Sequence, residues 1–226
     1  MKRFALTFDD GPGPSTPALL DVLAAFSVKA TFFLLGRNLE NVLWRPAALR
    51  AAREGHVIGN HTWSHLRPDR WREVGSDIER GEDAVRGLLV QSGGRRADEP
   101  VPFRLPYGIR LVEETLPSPA GSANAAQLDP RLAVVASLGL GHQHWTSDFE
   151  DWTMQAGEGE KLADRMAAHI EACPLDAVLD LHDSGTGSSF GYERPATVEG
   201  VRLLLEVARQ RGWTTFTVPR RSAEPP

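Results

Sequence analysis

Phe4-Ala5-Leu6-Thr7-Phe8-Asp9-Asp10-Gly11-Pro12 decides the reading of this chain. An apolar, β-prone run over 4–8 ends in two adjacent carboxylates, and a Gly-Pro pair then turns the backbone away sharply. Ser15 or Thr16 starts a helix over 17–26, so the first two elements are a strand and then a helix. The alternation continues: strand-like 30–35 precedes helical 45–54, 56–59 precedes 77–89, and 101–105 precedes 132–138. Residues 141–146 precede a helix over 161–172, the apolar run 177–181 precedes a helix over 198–211, and 214–218 ends the pattern.

That gives about seven strands with helices between them, an α/β class close to the eightfold βα barrel but short of it. An open doubly wound sheet is the alternative. Residues 92–100 and 107–130 read as surface loops, the second because Ser118-Pro119-Ala120-Gly121-Ser122 opposes regular structure. The expectation is a single domain over 1–226 with a frayed tail at 219–226.

Composition narrows the function. Formal net charge is -5, with no basic face, which speaks against a nucleic-acid partner. Cys173 is the only cysteine, so neither an intrachain disulfide nor a thiolate metal cluster can form. No apolar run approaches the roughly 20 residues that span a bilayer, so no transmembrane segment is expected. Asp9 and Asp10 interrupt the first apolar stretch too early for a signal peptide. As written the chain would work in the cytoplasm, or be secreted after removal of a signal that preceded this numbering.

Asp9 and Asp10, His61, Arg104, Asp148 and Asp151, and His182 all stand just past the C-terminal ends of strand-like runs. In a βα barrel those ends converge on the face where active sites are built. His61 and His65 lie at i and i+4 in His61-Thr62-Trp63-Ser64-His65, which on a helical turn would aim both imidazoles at one metal ion. Taken alone, the pair is more simply a core histidine beside a surface one. The carboxylate pair shifts that balance: one could complete a two-His, one-carboxylate set with open positions, and the other could stay unligated as a base. The plainer role for Asp9 or Asp10 is an Asx turn or a helix N-cap.

Thr7-Phe8-Asp9-Asp10-Gly11-Pro12 and His61-Thr62-Trp63-Ser64-His65 resemble the first two motifs of the polysaccharide deacetylases, also called the NodB-homology domain or carbohydrate esterase family four. Phe103-Arg104-Leu105-Pro106-Tyr107-Gly108 resembles the third, Asp148-Phe149-Glu150-Asp151-Trp152 the fourth, and Leu181-His182-Asp183 the end of the fifth. Five motifs in order, over nearly the whole chain, make the resemblance specific. It implies a distorted (β/α) barrel and hydrolysis of acetyl groups on N-acetylated sugars, such as chitin oligosaccharides or peptidoglycan. It further implies that Asp10, His61 and His65 hold one divalent ion, usually zinc, with cobalt or another metal as alternatives. Asp9 would be the general base, Arg104 its partner, His182 the general acid and Asp151 the residue that orients it. Tyr107 would offer its backbone N–H to the oxyanion, and Trp152 would wall the acetyl pocket, with Asp180 and Leu181 beside it.

One position departs from the family. Asp180 stands two before the fifth-motif histidine, where the family usually has a leucine lining the acetyl pocket. Alternation puts it on the same side as His182, where a carboxyl would weaken acetyl binding. Asp148 competes with Asp151 as partner of His182. His56, His142 and His144 match no motif and read as structural, and Trp63 reads as packing. O-acetyl removal, as from acetylated xylan, deacylation of a small non-polymeric substrate and a non-catalytic carbohydrate-binding domain are the competing functions. An iron(II) oxygenase also uses two His and one carboxylate, but leaves Asp9, Arg104 and His182 without a task. Oligomeric state is not readable.

Overall fold

The computed structural model describes residues 1–93, 101–108, 129–185 and 192–218. Most of the loops assigned to 92–100 and 107–130, and the tail at 219–226, fall outside them. The chain alternates as expected: β1 (Arg3–Asp9), α1 (Thr16–Ala25), β2 (Thr31–Leu34), α2 (Arg45–Arg53), β3 (Val57–Asn60) and α3 (Val74–Gln91). After these come α4 (Arg131–Ser137), β4 (Ser147–Asp148), α5 (Gly159–Ala172), β5 (Ala177–His182), α6 (Pro195–Arg211) and β6 (Thr214–Thr215).

All strand pairings are parallel, in the order β3-β2-β1-β5-β4, and β6 pairs with the start of β1. β1 is central and buried along its length apart from Arg3, as a parallel strand covered on both faces must be. Six strands form among the described residues where about seven were counted, because two of the runs shrink. Residues 101–105 make only the bridges Asn60–Phe103 and Phe103–His142, and 141–146 keep only that second bridge before β4 begins. Those bridges carry the pairing from β3 past Phe103 to His142, whose chain leads into β4 and back to β5.

Phe4, Leu6 and Phe8 of β1 and Leu179 and Leu181 of β5 point outward into the main core. There they meet Leu19, Leu20 and Leu23 of α1, Leu162 and Met166 of α5, and Leu204 of α6. Each such buried side chain contributes about 1.5–3 kcal/mol relative to exposure. On the opposite face, Ala5 of β1 and Phe33 of β2 cluster with Val218, which follows β6. Polar groups occupy the C-terminal end of that interior face. Among the described residues no helix is long and apolar enough to cross a membrane.

Candidate active site

The register of β1 against β5 sets the site: Asp9 lies opposite His182, and Thr7 opposite Asp180. Side chains alternate along a strand, so these four turn to the interior while Phe8 and Leu181 enter the core. This corrects the placement of Leu181, which is fully buried among core side chains and does not line the pocket.

Arg104 is fully buried beneath them. Its Nη1 lies 2.9 Å from Asp9 Oδ1, 2.7 Å from Asp180 Oδ1 and 2.8 Å from Thr7 Oγ1, and its Nε donates to the Gln143 carbonyl at 3.1 Å. Its guanidinium carbon stands 4.2 Å above the Phe33 ring and 5.2 Å from that of Trp145. One cation is therefore shared by two carboxyl groups. Burial first, and then the charge of Asp9, raise the Asp180 pKa well above the usual carboxylate range.

The helical turn expected from His61 to His65 is not formed. Thr62 and His65 adopt φ of 70° and 60°, and such left-handed residues cannot continue a helix. The segment is instead a loop pinned by side chains. Asn60 Oδ1 accepts the Thr62 N–H at 2.8 Å, and Asp77 accepts the Ser64 N–H at 3.0 Å and its hydroxyl at 2.8 Å. Gly81 on α3 lets the loop lie close, since a Cβ there would stand 2.6 Å from the Thr62 carbonyl carbon. Trp63 packs on Arg80, whose guanidinium carbon is 3.5 Å from the ring centre, as a packing residue should.

The loop delivers both imidazoles to Asp10. One ligand atom each from Asp10, His61 and His65 lies within 4.8 Å of the others, and His65 Nε2 is 3.2 Å from Asp10 Oδ1. His61 Nδ1 donates to the Arg104 carbonyl at 2.9 Å, which leaves the lone pair of Nε2 directed at the cluster. Burial lowers the pKa of His61, and that of His65 to about 4, so both are the neutral imidazoles that a metal requires. Among the described residues, Asp10 Oδ1 is buried without a hydrogen-bond partner. A carboxylate oxygen in that condition is costly unless a cation meets it, so this donor set fits a divalent ion.

Asp151, not Asp148, holds His182. Its Oδ1 lies 2.8 Å from His182 Nδ1, while Oδ2 accepts the His182 N–H at 2.9 Å and the Thr197 hydroxyl at 2.6 Å. Asp148 accepts the Glu150 N–H at 2.8 Å. Burial opposes protonation of His182, but Asp151 first and then Asp10 outweigh it and hold the pKa well above the ordinary histidine value.

Asp9, Asp10, His61, His65, Asp180 and His182 line one pocket of about 720 Å³ with Tyr107, Trp145 and Trp152. Trp152 stands edge-on to His182 at 4.9 Å between ring centres, and Tyr107 lies 4.6 Å from His65. His56, His142 and His144 do not line the pocket. His56 Nδ1 instead accepts the Ala30 N–H at 3.1 Å, and His142 and His144 pack on each other with ring centres 4.5 Å apart.

Thr7, Thr197 and Asp183 belong to the site's support and were not singled out by the sequence. Asp183 is fully buried, accepts the Thr16 hydroxyl at 2.5 Å and packs against Gly11, where a Cβ would come within 2.4 Å of its carboxylate. Burial pushes its pKa up to about 7. Its place directly after His182 was the one available signal.

A parallel βα fold carries a two-His, one-carboxylate cluster that could hold a metal ion beside an Asp–Arg pair and an Asp–His pair, an arrangement suited to hydrolysis. A model of the polysaccharide deacetylase family matches residues 1–116, and the chain belongs to that family. It is 31% identical over 230 residues to a chitooligosaccharide deacetylase of Bradyrhizobium sp. (strain ANU 289), covering 95% of this chain and 88% of that protein. It is 36% identical over 155 residues to the peptidoglycan-N-acetylglucosamine deacetylase PgdA of Listeria monocytogenes serotype 1/2a (strain 10403S), covering 67% of this chain and 27% of that one. Among solved structures, peptidoglycan deacetylase PdaC from Bacillus subtilis superposes with a TM-score of 0.68 at 25% identity, over 96% of this chain and 88% of that one.

Proposed function

We propose that this chain removes acetyl groups from N-acetylated sugars of the chitin oligosaccharide or peptidoglycan type, using one divalent ion, zinc by preference, held by Asp10, His61 and His65. The observation that carries this is the pairing of Asp9 opposite His182 on adjacent strands, with the ligand cluster beside them. A base and an acid stand on either side of one space, as acyl transfer requires. The relatives named above act on sugars of this kind, which supports the same substrate class.

When bound, the ion supplies Lewis acidity toward the acetyl carbonyl and lowers the pKa of water toward neutrality. The protein groups do the rest. Asp9, fixed in orientation by Arg104, takes the proton of the attacking water. The backbone N–H of Tyr107, at the pocket wall, meets the oxyanion. His182 has Nδ1 committed to Asp151, so Nε2 gives its proton to the departing nitrogen. An amine leaves poorly unless protonated, and a histidine held as imidazolium suits an amide better than an ester. Trp152 closes the side of the pocket next to that acid.

Metal-stripped protein should release no acetate from chitin oligosaccharides, and zinc or cobalt should restore release. Asp9→Asn should bind the metal equally yet lose about 10²–10⁴-fold in kcat. Metal binding with full activity in Asp9→Asn would remove Asp9 from the role of base.

A further inference from the structure

Arg131 opens α4, far from the five motifs in sequence, and is fully buried. One edge of its guanidinium faces Asp129: Nε lies 3.0 Å from both carboxylate oxygens, and Nη2 donates to Oδ2 at 2.5 Å. The outer nitrogens reach across the molecule. Nη1 donates to the Pro106 carbonyl at 2.7 Å and Nη2 to the Gly108 carbonyl at 2.7 Å. Those carbonyls flank Tyr107, a pocket-lining residue.

Burying a guanidinium–carboxylate pair adds little net stability, because the desolvation cost consumes most of the attraction. The geometry it enforces is another matter. Tyr107 and Gly108 adopt φ of 63° and 65°, two left-handed residues in succession. For a residue with a side chain that conformation is strained and persists only where the surroundings impose it. Within a trans peptide the C=O and N–H point in opposite directions. Holding the Pro106 carbonyl therefore fixes where the Tyr107 N–H points. The cation on that carbonyl also polarises the peptide and makes its N–H a better donor.

We infer that Arg131 is a positioning residue for the oxyanion donor, gripping the carbonyls on both sides of Tyr107 so that its N–H is presented to the pocket in one direction. This rests on the deacetylase reading above. Asp129 is the counter-charge that makes the buried cation tolerable and turns its other edge toward the loop.

The test uses the zinc-loaded enzyme on N-acetylated chitin oligosaccharides, with Arg131→Met and Arg131→Lys. Lysine keeps the charge opposite Asp129 but offers its three donors from one atom, without the planar spread by which the guanidinium spans Asp129 and both carbonyls. A donor displaced by about 1 Å costs about 100-fold, so kcat should fall by that order while KM and zinc content stay near wild type. A kcat unchanged per folded molecule would overturn the inference, as would a rise in KM with kcat kept. Should Arg131→Met fail to fold, Arg131→Lys decides. A second readout does not use turnover. The chain has 2 tyrosines, so selective ¹⁵N-tyrosine labelling gives only two backbone amide signals. Acetate added to the wild-type enzyme should shift the Tyr107 amide more than that of Tyr192, and less in Arg131→Lys. No shift at Tyr107 in the wild type would also overturn the inference. An inactive wild-type enzyme would instead remove the deacetylase reading itself.

Discussion

The two sides of the pocket solve the same problem in opposite directions. His61 is buried and His65 partly so, and both are held neutral, whereas His182, about as enclosed as His65, is held as a cation. Burial alone pushes all three toward neutrality. The difference lies in how the nearby carboxylates are committed. Asp151 gives one oxygen to the His182 ring and the other to its N–H and to Thr197, so its charge serves that histidine. Asp10 Oδ1 has no donor among the described residues, and His61 gives its only N–H to a carbonyl. In this site the histidine fixed on a carboxylate is the one held as a cation, and His61, fixed on a carbonyl, stays neutral.

The most severe break of this contrast is on the ligand side. His65→Ala should abolish zinc uptake at micromolar metal and lower kcat by about 10³-fold or more, since the ion supplies several kcal/mol. His182→Ala should keep the metal and lose about 10²–10³-fold on amide substrates, with a smaller loss on esters. Metal content measured beside acetate release separates the two. Equal metal loss in both variants would mean that the sides are not distinct.

Asp151→Asn should sharpen it further. His182 acts as an acid and must carry its proton, and its pKa lies above the ordinary value. Activity therefore persists above the pH at which a free histidine would lose that proton. Removing the Asp151 charge lowers the His182 pKa, so the alkaline limb of kcat/KM should move to lower pH by about 1–3 units. The acid limb should stay where it is. A profile with an unmoved alkaline limb would show that Asp151 is only structural.

How much of this was legible follows from the same residues. Asp9 and Asp10 were readable because an apolar run ending in two acids before Gly-Pro has few other uses. The meeting of His61 and His65 was correct, but its route was not. Thr62 and His65 take positive φ, which Thr-Trp-Ser does not announce, and the loop depends on Asp77 and Gly81 from a distant helix. Residues 101–105 and 141–146 carry strand-like composition, yet each pairs through single bridges, which composition cannot foretell. Thr197 and Arg131 act through contacts set by tertiary packing, so no local pattern marks them.

Asp180 stands between the two sides and offers the smallest, most discriminating change. It accepts from the same Arg104 nitrogen as Asp9, and on its strand it shares a face with His182. Burial and Asp9 raise its pKa well above the usual range, which favours its protonated form. A neutral acid contributes polarity to the pocket wall but little charge to either histidine. Asp180→Leu should therefore leave both pH limbs in place and lower KM for an acetylated sugar by about threefold to tenfold, as an apolar wall replaces a carboxyl next to the methyl. An alkaline limb displaced by this substitution would show Asp180 ionised and acting on His182. A KM identical to wild type would show that Asp180 does not face the acyl group at all, leaving it as support for Arg104.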